Sequence, residues 1–204
     1  MTTEAGRLPL TVLGGFLGAG KSTWLRHQLH EGRYGNHHFL INEAALTPVD
    51  NLLLGRAARV EVLAGGCACC EGLPALVTAL RCICDEVTAR DASGIDGVVL
   101  ETSGLADPGA IAAALAADQV LARRLVMEEV VVLVDALHGR AQLAAEPLAR
   151  AQVEAADRVI LTKPVLAEGA GLAGLAATLR ALTPAAEITA AEQGMPVSLP
   201  DAEA

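Results

Sequence analysis

Eight consecutive residues, Gly15-Phe16-Leu17-Gly18-Ala19-Gly20-Lys21-Ser22, fit the spacing G-x-x-x-x-G-K-[ST] of a phosphate-binding loop. The residue types explain the chemistry. Glycines let successive backbone N–H groups turn inward around an anion, which residues carrying a Cβ do less easily. Lys21 is placed to lie against the β- and γ-phosphates, and the Ser22 hydroxyl to ligate Mg²⁺. Gly15, Gly18, Ala19, Gly20, Lys21, Ser22 and Thr23 are therefore the candidate phosphate and nucleotide contacts. The plainer reading is a glycine-rich turn before a helix. The flanks favour the loop: Leu8 to Leu13 reads as a buried strand, and Ser22 to Glu31 as a helix burying Trp24, Leu25 and Leu29. That helix would also turn its positive end toward the phosphates.

The second group is Cys67-Ala68-Cys69-Cys70, three thiols in four residues after Gly65-Gly66. Three sulfurs this close suit a soft cation, Zn²⁺ in tetrahedral geometry with one position left over, or Cu(I) with thiolates alone. Three small buried apolar side chains are the alternative, since free cysteine is commonly core. Cys82 and Cys84, two apart in a predicted helix, point to different faces and read as core.

The third group is Glu101-Thr102-Ser103-Gly104, after the apolar run Val98 to Leu100. Glu101 is the candidate for the Mg²⁺ shell, and Gly104 lets its N–H approach a γ-phosphate. A helix-capping turn is the competing reading, although Asp107, with Pro108 behind it, already supplies a cap. Asp135 ends a similar strand and has a weaker claim; a cap on a helix starting near Ala136 would explain it. His37 and His38 are adjacent in a strand, so they face opposite ways. His27, His30 and His138 read as surface or structural.

Strands expected at 8–13, 37–41, 59–64, 97–101, 130–135 and 159–162 alternate with helices, notably 73–90 with Leu76, Leu80, Ile83 and Val87 on one face. Asn42 to Asp50 reads as a loop, and the Ala/Leu-rich tract from Ala167 to Ala191 as helix. The expected fold class is α/β, a P-loop NTPase with a mainly parallel sheet flanked by helices, and ligands beyond the carboxyl ends of the strands.

The 204 residues suit a single domain over 1–204. A net charge of −9 argues against nucleic acid as partner. No apolar run reaches the length of a membrane span, and the N-terminus lacks the basic segment of a signal peptide. Five clustered cysteines, an odd number, suggest reduced thiols in the cytoplasm.

Together these residues resemble the CobW-like family of metallochaperone GTPases, relatives of HypB and UreG. The resemblance rests on residues 15–22, Gly-Gly-Cys-Ala-Cys-Cys at 65–70 and Glu-Thr-Ser-Gly-Leu-Ala-Asp-Pro at 101–108. Val-Asp-Ala at 134–136 and Ala-Asp-Arg-Val-Ile-Leu-Thr-Lys at 156–163 add to it. It implies a P-loop GTPase that uses GTP and Mg²⁺ and carries zinc or cobalt on Cys67, Cys69 and Cys70. Nucleotide state would govern metal capture and release to a client metalloprotein. Lys21, Glu101 and Gly104 would be the catalytic positions, and Thr162 and Lys163 would lie at the base. With no dedicated general base in the sequence, hydrolysis is expected to be slow without a partner or a homodimer.

The chain departs from the family pattern in three places. The first switch loop, usually Asn-Glu-Phe-Gly-x-x-Gly-x-Asp, reads Asn42-Glu43-Ala44-Ala45-Leu46-Thr47-Pro48-Val49-Asp50 and loses its glycines. The base-reading Asn/Thr-Lys-x-Asp reads Thr162-Lys163-Pro164-Val165, and valine cannot accept the guanine hydrogen bonds. The usual C-terminal domain is not expected within this length. A domain that binds metal or nucleotide without turnover is the competing class. A small-molecule kinase ranks behind it, because only Arg123-Arg124 offers a basic lid.

Overall fold

The computed structural model of the chain describes residues 6–42, 59–63, 67–89, 95–167 and 169–199. Loop residues 43–50, Ala64, Gly65, Gly66 and the helix end at Arg90 lie outside them.

Strand β1 (Leu8–Gly15) leads through the glycine loop into helix α1 (Lys21–His30). Then come β2 (His37–Ile41), β3 (Arg59–Val62), α2 (Leu73–Ala89) and β4 (Gly97–Glu101). Helices α3 (Pro108–Ala117) and α4 (Leu121–Arg124) precede β5 (Leu125–Asp135). Helices α5 (Gly139–Ala145) and α6 (Pro147–Glu154) lead to β6 (Arg158–Thr162). The chain continues through α7 (Gly169–Leu182), β7 (Glu187–Glu192) and β8 (Met195–Val197).

The strands form one sheet in the order β3-β2-β4-β1-β5-β6-β7-β8. Every described pairing is parallel except β7 with β8. The central strands β1, β4 and β5 are near-continuous apolar runs, as strands covered on both faces must be. On one face, α1 buries Trp24, Leu25 and Leu29 with Phe39, Val99, Leu133 and Ile160. On the other, Leu76, Leu80 and Ile83 of α2 join Ile111, Val153 and Leu175 in a larger cluster. Cys84 belongs to that core, whereas Cys82 is exposed, which corrects its core reading.

The tract read as helix from 167 to 191 is helix only to Leu182. Thr183 precedes Pro184, whose ring disfavours helical backbone at the residue before it. Beyond that turn, Ile188 and Thr189 enter a strand beside β6. Gln193 and Gly194, with φ of 49° and 94°, then form the tight turn into β8.

Candidate functional site

The carboxyl ends of β1, β4, β5 and β6 converge on the glycine loop, because the sheet order sets β1 between β4 and β5. Gly15 has φ 129°, and a Cβ there would stand 2.4 Å from the Leu133 carbonyl oxygen. Only glycine passes so close to β5 in that conformation. Gly18 and Gly20 are also left-handed, at φ 80° and 86°. Gly20 is the residue from which α1 starts, and its carbonyl receives the Trp24 N–H at 2.9 Å.

A cleft of about 230 Å³ opens above this loop, lined by Leu17, Gly18, Gly20, Lys21, Ser22, Thr23, Asn42, Glu101, Thr102 and Gly104. Lys21 Nζ donates to the carbonyls of Gly15 at 2.7 Å and Phe16 at 3.3 Å, so the ammonium is held over the loop. Ser22 Oγ donates to Glu101 Oε1 at 2.7 Å. A hydroxyl and a buried carboxylate, both hard oxygen donors, thus meet at a helix N-terminus, a donor set that suits Mg²⁺. Thr102 anchors the segment after β4, donating both its N–H and its hydroxyl to the Leu13 carbonyl, at 2.9 and 3.0 Å. Gly104 then lies flat on the loop; a Cβ there would be 2.6 Å from Leu17 N.

Thr162 and Lys163 do not line this cleft. They clamp the loop from outside: Thr162 Oγ1 donates to the Ala19 carbonyl at 2.9 Å and Lys163 Nζ to the Gly18 carbonyl at 2.9 Å. Ala19 itself is buried. Lys163, with φ 56°, also donates to Asp135 Oδ2 at 2.7 Å. Asp135 is more than a cap, since it holds Lys163 and His138 while accepting the Leu137 N–H. Burial pushes its carboxyl up, but the hydrogen bonds from Lys163, His138 and Leu137 outweigh burial and hold it below its ordinary value.

The three sulfurs of Cys67, Cys69 and Cys70 lie within 4.8 Å of one another. Cys67 Sγ and Cys69 Sγ are 2.8 Å apart. Tetrahedral ligation with bonds of ~2.3 Å separates sulfurs by roughly 3.8 Å, so an ion would spread this pair. Burial pushes the Cys67 thiol up, yet hydrogen bonds from Cys69, Ser103 and Cys70 leave it below its ordinary value. Burial and the hydrogen bond to Cys67 raise the Cys69 thiol to about 11. The set is soft, with Cys67 and Cys69 half-buried and Cys70 exposed, which fits a thiophilic ion reached from solvent.

Sequence reasoning missed two residues that join these parts. Asn42, at the cleft wall, accepts the Ala68 N–H on Oδ1 at 2.9 Å and so ties the cysteine loop to the nucleotide side. Gln152 of α6, fully buried, donates Nε2 to the carbonyls of Gly104 at 3.2 Å and Ala106 at 2.7 Å. A glutamine within a helix gives no sequence signal of such a role. Asn42 had one, standing at the end of β2.

Residues 9–190 match the sequence profile described as CobW/HypB/UreG, nucleotide-binding domain. The chain is 38% identical over 157 residues to the zinc chaperone YjiA of Escherichia coli (strain K12), covering 76% of this chain and 49% of that protein. It is 32% identical over 136 residues to zinc-regulated GTPase metalloprotein activator 1 of Schizosaccharomyces pombe, covering 63% of this chain and 32% of that protein. The chain therefore spans about half, or less, of the length of these curated relatives. The crystal structure of Zn(II)-bound YjiA GTPase from E. coli superposes with a TM-score of 0.62 at 27% identity, covering 90% of this chain and 57% of that one. With a phosphate loop, an acidic strand end and a cysteine cluster on one edge of a parallel sheet, the chain belongs to the CobW/HypB/UreG family.

Proposed function

We propose that the chain binds GTP with Mg²⁺, hydrolyses it slowly, and couples nucleotide state to the carriage of zinc or cobalt toward a client metalloprotein. The observation that supports this most directly is the single segment from Glu101 to Asp107, which borders both the phosphate cleft and the cysteine cluster. The names of the relatives, a zinc chaperone and a zinc-regulated GTPase activator, point the same way.

In this reading Gly15, Gly18, Ala19, Gly20, Lys21, Ser22 and Thr23 cradle the phosphates. Ser22 and Glu101 hold Mg²⁺, which supplies neutralisation of charge on the β- and γ-phosphates. Lys21 adds a point charge where negative charge accumulates, and Gly104 meets the γ-phosphate. Thr162 and Lys163 keep the loop in shape beside the base. Cys67, Cys69 and Cys70 take the metal as cargo.

The test is a zinc and cobalt titration of reduced protein with and without Mg²⁺–GTP, beside a Cys67/Cys69/Cys70→Ser triple variant. The expected result is a cobalt–thiolate absorption that shifts with GTP and vanishes in the variant. Absence of a metal signal in the unaltered protein would leave the cysteines structural. The competing reading, a metal or nucleotide binder without turnover, draws support from the exposed Val165 at the base-reading position. Retained binding with undetectable hydrolysis selects it.

A further inference from the structure

We infer that Ser103 is the positioning residue through which nucleotide state sets the metal affinity of Cys67. This rests on the reading above, that the cleft takes nucleotide and the cysteines take metal.

Ser103 Oγ donates to Cys67 Sγ at 3.8 Å, and Cys67 Sγ donates to the Leu105 carbonyl at 3.7 Å. The sulfur is thus held from the residue before Gly104 and from the residue after it. Gly104 itself rests on the Leu17 backbone of the phosphate loop with no room for a Cβ. Its carbonyl and that of Ala106 are fixed by Gln152. Asp107 then caps α3, its side chain accepting the N–H groups of Gly109 and Ala110. The stretch from Glu101 to Leu105 therefore starts at the Ser22–Glu101 pair and reaches Cys67, with Gly104 pressed against the phosphate loop between them.

The two bonds to Cys67 differ once metal binds. A metal-bound thiolate carries no proton and cannot donate to Leu105. It can still accept from Ser103, and a hydroxyl donating to a ligating sulfur is the kind of outer contact that tunes metal affinity. Ser103 is the link between Gly104 and Thr102, which is pinned to β1, so a displacement of Gly104 toward or away from the phosphate loop must be taken up by rotation at Ser103. Ser103 is a buried residue, so solvent has limited access to the contact.

The experiment measures zinc affinity by chelator competition, with Mg²⁺–GDP and with a Mg²⁺-bound non-hydrolysable GTP analogue. The proteins are the unaltered chain, Ser103→Ala and Ser103→Thr. The cobalt–thiolate charge-transfer band is recorded for each. The expected result is a difference in zinc affinity between nucleotide states that shrinks by about tenfold in Ser103→Ala and returns in Ser103→Thr. A hydrogen bond lowers the energy of the sulfur electrons, so the cobalt band moves to lower energy in Ser103→Ala and is restored in Ser103→Thr. In the unaltered protein the band itself differs between the two nucleotide states, a readout that needs no variant. An unchanged affinity ratio and band in Ser103→Ala overturn the role of Ser103 while leaving the proposed function standing. Equal zinc affinity in both nucleotide states of the unaltered chain overturns both the inference and the coupling it rests on.

Discussion

The two ends of the proposed nucleotide site are built to different standards. At the phosphate end, three glycines hold left-handed backbone, Lys21 and Ser22 have defined partners, and Gly104 closes the wall with no space for a methyl group. At the proposed base end, Thr162 and Lys163, which lie outside the cleft, spend their polar groups on the loop's own carbonyls. Where the family pattern has its base-reading Asp stands Val165, 73% exposed, followed by Leu166 at 62%. On the proposed reading, such a site would hold a chelated phosphate chain firmly and the base loosely. An aliphatic side chain cannot favour a group by hydrogen bonding, and a site without the partner discriminates weakly.

The largest expected effect tests the rigidity of the phosphate end. Gly15→Ala drives a Cβ into the Leu133 carbonyl at an unfavourable φ, and should lower unfolding free energy by about 3 kcal/mol in denaturant titration. Near-normal stability would show that the loop yields, and the contrast between the ends would weaken. Next, Lys21→Ala removes a charge-assisted donor and should reduce Mg²⁺–GTP affinity about 100-fold by calorimetry. A loss of only two- or threefold would mean that backbone N–H groups dominate. At the base end, the unaltered chain should prefer GTP over ATP by less than about tenfold, and Val165→Asp should raise that preference about tenfold. Strong selectivity in the unaltered chain in competition binding would place base reading elsewhere.

The smallest effect concerns Asp135. A carboxyl held below its ordinary value stabilises the fold above its unfolded pKa, near 3.9, and that stability is lost as pH falls through the lower folded value. Asp135→Asn should therefore cost about 1 kcal/mol at pH 7 and flatten the fall in stability below pH 4. A melting-temperature profile as steep as that of the unaltered chain would assign the acid sensitivity to other carboxylates.

What the sequence revealed follows the same division. The phosphate loop, the acidic strand end and the cysteine cluster depend on local spacing, and each could be read directly. The parallel sheet followed from alternating apolar runs. The tract from Ala167 to Ala191 misled because alanine and leucine favour helix wherever a helix can form. Pairing of β7 with β6 is a long-range choice that composition does not carry. Thr183-Pro184 and Gln193-Gly194 were the available signals, one ending the helix and the other turning the hairpin. Asp135 was underrated because its main partner, Lys163, lies 28 residues away in sequence. Ser103 was visible only as a member of a motif. Its contact to Cys67 spans 36 residues and joins the loop before α2 to the segment after β4.

The clamp of Thr162 and Lys163 on the loop carbonyls has a consequence for biogenesis. These bonds span 143 and 145 residues of chain. The phosphate loop leaves the ribosome well before the strand end that fixes its shape, which follows 143 residues later. Contacts so remote in sequence form late, because loop-closure entropy must be met first. A nascent chain halted before β6 would carry the complete loop motif without its clamp. The ability to grip a nucleotide would then report that most of the sheet has assembled, making the loop a late checkpoint of folding rather than its nucleus.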